Sequence, residues 1–137
     1  RKATACFEYW QQLFPSRFYL EISRVGKPEE KTYIPAVAKF AEDLHIPVVA
    51  TNDMHFQERD DFEAHEARVC IHAGMVLTDP QRARKYTEQQ YFRTQEEMVS
   101  LFADIPEALQ NTVEIAKRCN VTFKLGINLL PHFPVPE

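Results

Sequence analysis

The sequence predicts an α/β fold built on parallel strands, and three stretches carry that expectation. Residues 46–56 read Ile-Pro-Val-Val-Ala-Thr-Asn-Asp-Met-His-Phe, a short apolar run bounded by Pro47 that passes into polar residues and a histidine. A run of that length suits a strand buried on both faces, as in a parallel sheet. Upstream, Phe18, Leu20 and Ile22 alternate with Tyr19 and Glu21, the period of a second strand with one apolar face. Between the two, Ile34, Val37, Ala38, Ala41 and Leu44 recur at helical spacing. Strand, helix and strand within roughly thirty residues make a right-handed βαβ unit.

The remaining elements follow in order. Phe7, Trp10 and Phe14 recur at three- and four-residue steps, giving a helix over residues 4–13 whose aromatic stripe is assigned to the core and which Pro15 ends. Gly26 and Pro28 mark a turn, and Pro35 implies either a kink in the next helix or a start near Ile34. Beyond the second strand, Asp60 with Glu63 suits a capped helix start, and Gly74 its stop. A polar loop with Pro80 leads to Tyr86–Arg93, a short strand or extended arm. Thr94 with Glu97 is a second capping pair, and Asp104 with Glu107 opens a further helix. That helix carries the stripe Ala108, Leu109, Thr112, Val113, Ala116 and Cys119, with Asn120 as its stop. The tail from Leu129 carries three prolines and is expected to run extended across a neighbouring domain.

At 137 residues the chain has the length of one domain with a sizeable core. It is 45% apolar and 26% charged, with no apolar run long enough for a membrane helix and no signal peptide in view. A net charge of -4 argues against a high-affinity nucleic-acid surface in this segment by itself. Arg82, Arg84 and Lys85 form the one dense basic cluster, which reads as a solvated turn ahead of a phosphate contact. Cys6, Cys70 and Cys119 are widely spaced without a Cys-x-x-Cys, so they read as small buried apolar residues of a reducing compartment. A first residue Arg1 and a proline-punctuated end suggest an excerpt of a longer protein.

The chemistry gathers at the end of the second strand. Asp53 and His55 stand two apart and project to the same side of an extended segment. A divalent ion can take an oxygen from one and a nitrogen from the other. The plainer reading is a turn with a helix-capping Asp and a surface His, and two ligands alone hold an ion poorly. His65 and His72, seven apart on one helix face, are spaced too widely for a usual helical ligand pair. His65 and Glu21 are the residues that could support the strand end from a second layer, although a solvent-facing Glu21 is the simpler assignment. No Gly-rich phosphate loop, Gly-x-Ser-x-Gly turn or Cys/His dyad is recognisable.

Several blocks in series change the weight of that pair. Ile-Pro-Val-Val-Ala-Thr-Asn-Asp-Met-His-Phe is followed by Phe62-Glu-Ala-His-Glu-Ala-Arg-Val-Cys-Ile71 and preceded by Phe18-Tyr-Leu-Glu-Ile22. Further on come Tyr86-Thr-Glu-Gln-Gln-Tyr91, Phe102-Ala-Asp-Ile-Pro-Glu-Ala108, Asn111-Thr-Val-Glu-Ile-Ala-Lys-Arg-Cys119 and Leu130-Pro-His-Phe-Pro134. Together they resemble the PHP (polymerase and histidinol phosphatase) family, and within it the bacterial replicative polymerases of the DNA polymerase III alpha type.

The resemblance implies the C-terminal part of a distorted (βα)7 PHP barrel over residues 1–73 and a mainly helical connector toward the polymerase palm over residues 74–137. It maps the last metal-ligand pair onto Asp53 and His55, in a family whose histidines and acids bind up to three metals, with Zn2+ or Mn2+ suited to such ligands. The family's His-x-His opening is not among these residues. It implies a DNA-directed DNA polymerase, a cytoplasmic nucleotidyltransferase acting on DNA and deoxynucleoside triphosphates. Its Mg2+-binding catalytic acids would lie outside this segment, so Asp60 and Asp61 are expected only to cap a helix. The implied partners are a proofreading exonuclease subunit and the sliding clamp, with no membrane. A stand-alone metal-dependent phosphoesterase and a purely structural docking module remain the alternatives. A cut barrel exposes apolar faces, so the isolated segment is expected to self-associate.

Overall fold

The computed structural model describes residues 2–128, 130, 131 and 134. Most of the expected proline-rich tail lies outside the described residues. In chain order the elements are α1 (Lys2–Leu13), β1 (Leu20–Ser23), α2 (Glu30–Leu44), β2 (Val48–Thr51), α3 (Phe62–Ala73), α4 (Gln95–Leu101) and α5 (Pro106–Arg118). A single 3-10 turn, Arg59–Asp61, leads into α3.

β1 and β2 pair in parallel, Leu20 against Val48 and Ile22 against Ala50, with α2 as the crossover. Leu20 and Ile22 point into the core, and Glu21 points out. Ile22, Ala50, Phe102 and Ala108 form one buried cluster; Leu20, Ala41 and Ile46 form another, and Val37 and Val48 pack against both. Phe102 and Ile22 are fully enclosed, and burying side chains of that size stabilises by about 1.5–3 kcal/mol each. Residues from both sides of position 74 therefore share a core.

Helix α2 starts at Glu30, ahead of Pro35, because the Glu30 carboxylate accepts the backbone N–H groups of Val25, Gly26 and Lys27 at 2.8, 3.1 and 3.1 Å. Pro35 then sits within the second turn, where its missing N–H costs one helical hydrogen bond. The helix closes with His45 in the left-handed region at φ 52°, and Ile46 N–H returns to Ala41 O at 2.9 Å.

Helix α5 covers the edge of β2 that β1 leaves open. In a strand successive carbonyls point to opposite edges, and since Pro47 O accepts from Leu20, Val48 O and Ala50 O point away from β1. Asn111 Nδ2 donates to Val48 O at 2.7 Å and Thr112 Oγ1 to Ala50 O at 3.0 Å. Two polar side chains thus occupy the place of a neighbouring strand, which blunts an edge that would otherwise recruit one.

Several local expectations change. Asp104 does not cap α5; its carboxylate grips Arg24 at 2.6 and 2.7 Å, and Ile105 and Pro106 open the helix instead. Asp61 rather than Asp60 caps the turn before α3, accepting Glu58 N–H at 2.9 Å. Only the first half of the α5 stripe is covered: Ala108 is buried, whereas Val113, Ala116 and Cys119 are exposed. In α1 only Phe7 turns inward, onto Phe18 and Phe40, while Trp10 and Phe14 stack on each other in solvent. Cys70 is buried, but Cys6 and Cys119 are exposed.

Two outcomes follow for stability. Asn111→Leu leaves Val48 O without its donor and should cost about 1–2 kcal/mol in urea unfolding, against less than about 0.5 kcal/mol for Glu114→Ala on the exposed face. The Arg24 guanidinium, by hydrogen bonding first and charge second, holds the Asp104 carboxyl below its usual range. A depressed folded-state value means that the unfolded chain binds the proton more readily, so this contribution is present above about pH 4 and lost as pH falls below it. Exposed pairs contribute about 0.2–1 kcal/mol, so Asp104→Asn should slightly lower the neutral-pH melting temperature and flatten the acid limb of a melting-temperature profile.

Candidate metal-ligand pair at the strand ends

The carboxyl ends of β1 and β2 open into two loops, residues 24–29 and 52–58, and the extended arm 86–93 lies over both. Tyr91 makes an isolated parallel bridge with Phe56, and Phe92 N–H reaches Phe56 O and Gln57 O at 3.1 Å. Asn52 Nδ2 donates to Tyr91 O, while Arg93 Nε donates to Asn52 Oδ1 at 3.1 Å. Thr87 Oγ1 donates to Val25 O, tying the arm to the first loop as well. The arm pairs as a single bridge because its central residues spend their hydrogen bonds on loops rather than on a strand.

Asp53 and His55 come together at this end. Asp53 Oδ1 lies 3.3 Å from His55 Nε2, with both side chains partly exposed. Asp53 holds φ at +38°, a conformation that a non-glycine residue adopts at some cost. Its second oxygen, Oδ2, accepts from Gln90 Nε2 at 2.7 Å and meets Lys27 Nζ at 3.4 Å. Gln90 is fully buried; it also donates to Asp53 O at 3.2 Å, and its own carbonyl accepts His55 N–H at 2.8 Å.

His65 stands beside the pair without bonding to it. The rings of His55 and His65 are 5.5 Å apart between centroids, and Tyr86 stands edge-on to both, at 4.7 and 4.6 Å. Arg68 Nη2 lies 3.2 Å from His65 Nδ1, and since a guanidinium cannot accept, Nδ1 accepts and the neutral ring carries its proton on Nε2. Burial first, then the charges of Arg68 and His55, push the His65 pKa down and keep that neutral form. The Nε2–H of that form is buried and finds no partner among the described residues, so His65 meets the pair only through its ring. Glu21 lies outside the pair: its carboxylate accepts Thr51 Oγ1 at 2.6 Å on the outward face of the sheet. His72 is not brought to His65; it is exposed and lines a cleft of about 470 Å³ between α3 and residues 82–86, which contains neither Asp53 nor His55.

The donor geometry suits a shared ion. Two ligands of one tetrahedral zinc, each about 2.0–2.1 Å from it, stand roughly 3.3 Å apart, which is the Asp53 Oδ1 to His55 Nε2 separation. The same distance also allows a direct hydrogen bond. Among the described residues no group of three or more His, Cys, Asp or Glu side chains could hold an ion, so the pair is at most part of a coordination sphere.

No protein-family model matches the chain. Curated relatives do: the chain is 56% identical over 132 residues to DNA polymerase III subunit alpha of Escherichia coli strain K12, covering 96% of this chain and 11% of that protein. It is 55% identical over 129 residues to the Haemophilus influenzae protein of the same name, covering 94% of this chain and 11% of that protein. Against the Pseudomonas fluorescens protein the figure is 48% over 136 residues, 99% of this chain and 12% of that protein. The chain is homologous to one segment of DNA polymerase III subunit alpha. It spans little more than a tenth of the length of those polymerase subunits, and the aligned stretch includes Asp53, His55 and the arm alike.

Sequence patterns give no role to four residues that shape this end: Lys27, Asn52, Gln90 and Arg93. Asn52 and Gln90 lie within the blocks that carry the resemblance, but neither is a ligand type there, and a buried glutamine gives no periodic signal. One member of the basic cluster is also reassigned. Arg82 is turned inward against the buried Glu66 carboxylate, and Arg84 remains exposed. Arg82→Ala strands a buried carboxylate and should lower the melting temperature far more than Arg84→Ala, as differential scanning fluorimetry would register.

Proposed function

We propose that this chain is a segment of a replicative DNA-directed DNA polymerase of the DNA polymerase III alpha type: the C-terminal part of its PHP domain over residues 1–73 and the connector toward the palm over residues 74–137. The observation that carries the reading is 56% identity to such a subunit across 132 residues. In this reading template-directed addition of deoxynucleotides, with Mg2+ held by catalytic acids, takes place outside the segment. DNA, deoxynucleoside triphosphates, the proofreading exonuclease subunit and the sliding clamp are partners of the whole subunit. In this reading the setting is the cytoplasm.

Within the segment, Asp53 Oδ1 and His55 Nε2 are the last ligand pair of the PHP site. A Zn2+ or Mn2+ bound there would polarise a phosphoryl oxygen or activate water. The side chains present here hold and orient. The Asp53 oxygen not facing His55 is occupied by Gln90 and Lys27, which fixes the carboxylate plane, and the Tyr86 ring covers His55 from one side. A structural, docking reading has one specific observation in its favour: the Lys27 ammonium stands 3.4 Å from Asp53 and can balance its charge without an ion.

The full-length subunit should extend a primed template with Mg2+, and either Asp53→Ala or His55→Ala should remove Zn2+ or Mn2+ binding in equilibrium dialysis. Phosphate-ester hydrolysis without primer extension would favour a stand-alone phosphoesterase. Metal content unchanged by Asp53→Ala would favour the structural module.

A further inference from the structure

The arm contributes no ligand, yet one of its residues touches both members of the pair. Gln90 has no exposed surface, and every polar group of its side chain is engaged. Its amide nitrogen donates to Asp53 Oδ2 at 2.7 Å and to Asp53 O at 3.2 Å, and its amide oxygen accepts Thr87 N–H at 2.9 Å. Its backbone carbonyl accepts the His55 N–H at 2.8 Å. The residue between the two ligands, Met54, is exposed.

We propose that Gln90 is the positioning residue of the Asp53/His55 pair, fixing the carboxylate and the imidazole backbone from the connector side. The chemistry selects glutamine. Asp53 presents only acceptors here, so its buried partner must donate; Thr87 presents an N–H, so the same side chain must also accept. Lysine would donate without accepting, glutamate would accept without donating, and leucine would do neither. The grip acts where the backbone needs it, because Asp53 sits at φ +38° and pays to stay there. Two donations from one amide, to the side chain and the carbonyl of the same residue, over-determine that conformation. The pair is thereby held by a residue 35 positions beyond His55, so the order of the site depends on the connector being docked.

The proposal rests in part on the metal reading above, and the test separates the two. In the full-length subunit, Gln90→Leu keeps the bulk and removes the polar grip, and Gln90→Glu keeps the acceptor but sets a second carboxylate against Asp53. By hydrogen exchange and mass spectrometry, both variants should exchange at least about tenfold faster over residues 52–57, with α2 unchanged. Unaltered exchange over 52–57, or equal loss of protection in α2, would overturn the positioning role. In Zn2+ titration both variants should bind about 10–100-fold more weakly than the parent, as outer-layer partners of metal ligands do. If Asp53→Ala binds Zn2+ as the parent does, the metal reading fails and the exchange result still decides the role of Gln90. If Asp53→Ala loses Zn2+ while both Gln90 variants retain it, the metal reading stands and the positioning role falls.

Discussion

Gln90 is an uncharged polar side chain sealed from water, and a group of that kind is tolerated only when its hydrogen bonds are met. Its partners are Asp53, Thr87 and, through its backbone, His55. That requirement ties the arm to the loop after β2, and the other contacts follow from it. Phe92 reaches the backbone of Phe56 and Gln57, and Arg93 threads between Asn52 and Gln89 while lying over the Tyr91 ring. Withdrawing the arm would expose the orphaned groups of both partners, so the arm and the loop are ordered together.

A second constraint lies at the open edge of β2. A two-stranded parallel sheet is too small to stand alone, and here α2 and α5 supply what the strands lack. Asn111 and Thr112 satisfy the carbonyls of the free edge, and Phe102 and Ala108 fill the space above Ile22 and Ala50. Helix α5 and Phe102 therefore complete the two-stranded sheet from one side, and the arm 86–93 holds the loop after β2 from the other. Trp10 of α1 and Phe14 just beyond it stay in solvent, on a face that the described residues leave uncovered.

Much of this was legible in the residues. The alternation at Phe18–Ile22, the apolar run at Val48–Ala50 and the helical stripe between them define the parallel pair, because burial imposes periods of two and 3.6. Thr94 and Glu97 form the expected reciprocal cap, at 2.8 and 3.2 Å. Asp53 and His55 do meet, but through a turn with Asp53 at φ +38° and not along the extended segment that the spacing implied. The same local reasoning misassigned Asp104, since a carboxylate near a helix start can be claimed by a distant Arg24 as readily as by its own backbone. It placed Cys6 and Cys119 inside because a cysteine's usual environment says nothing of which helix face is covered. Gln90 escaped notice for a related reason: its role comes from a contact 37 residues away in sequence, at Asp53, and nothing local announces it.

The central claim is that Asp53 and His55 share an ion in the complete subunit. Anomalous X-ray scattering at the zinc edge from crystals of the full-length protein grown with Zn2+ tests it directly. The account predicts a peak between Asp53 Oδ1 and His55 Nε2, within ligand distance of both. Density that shows the two side chains hydrogen bonded to each other, with Lys27 against the carboxylate and no anomalous peak, would contradict it.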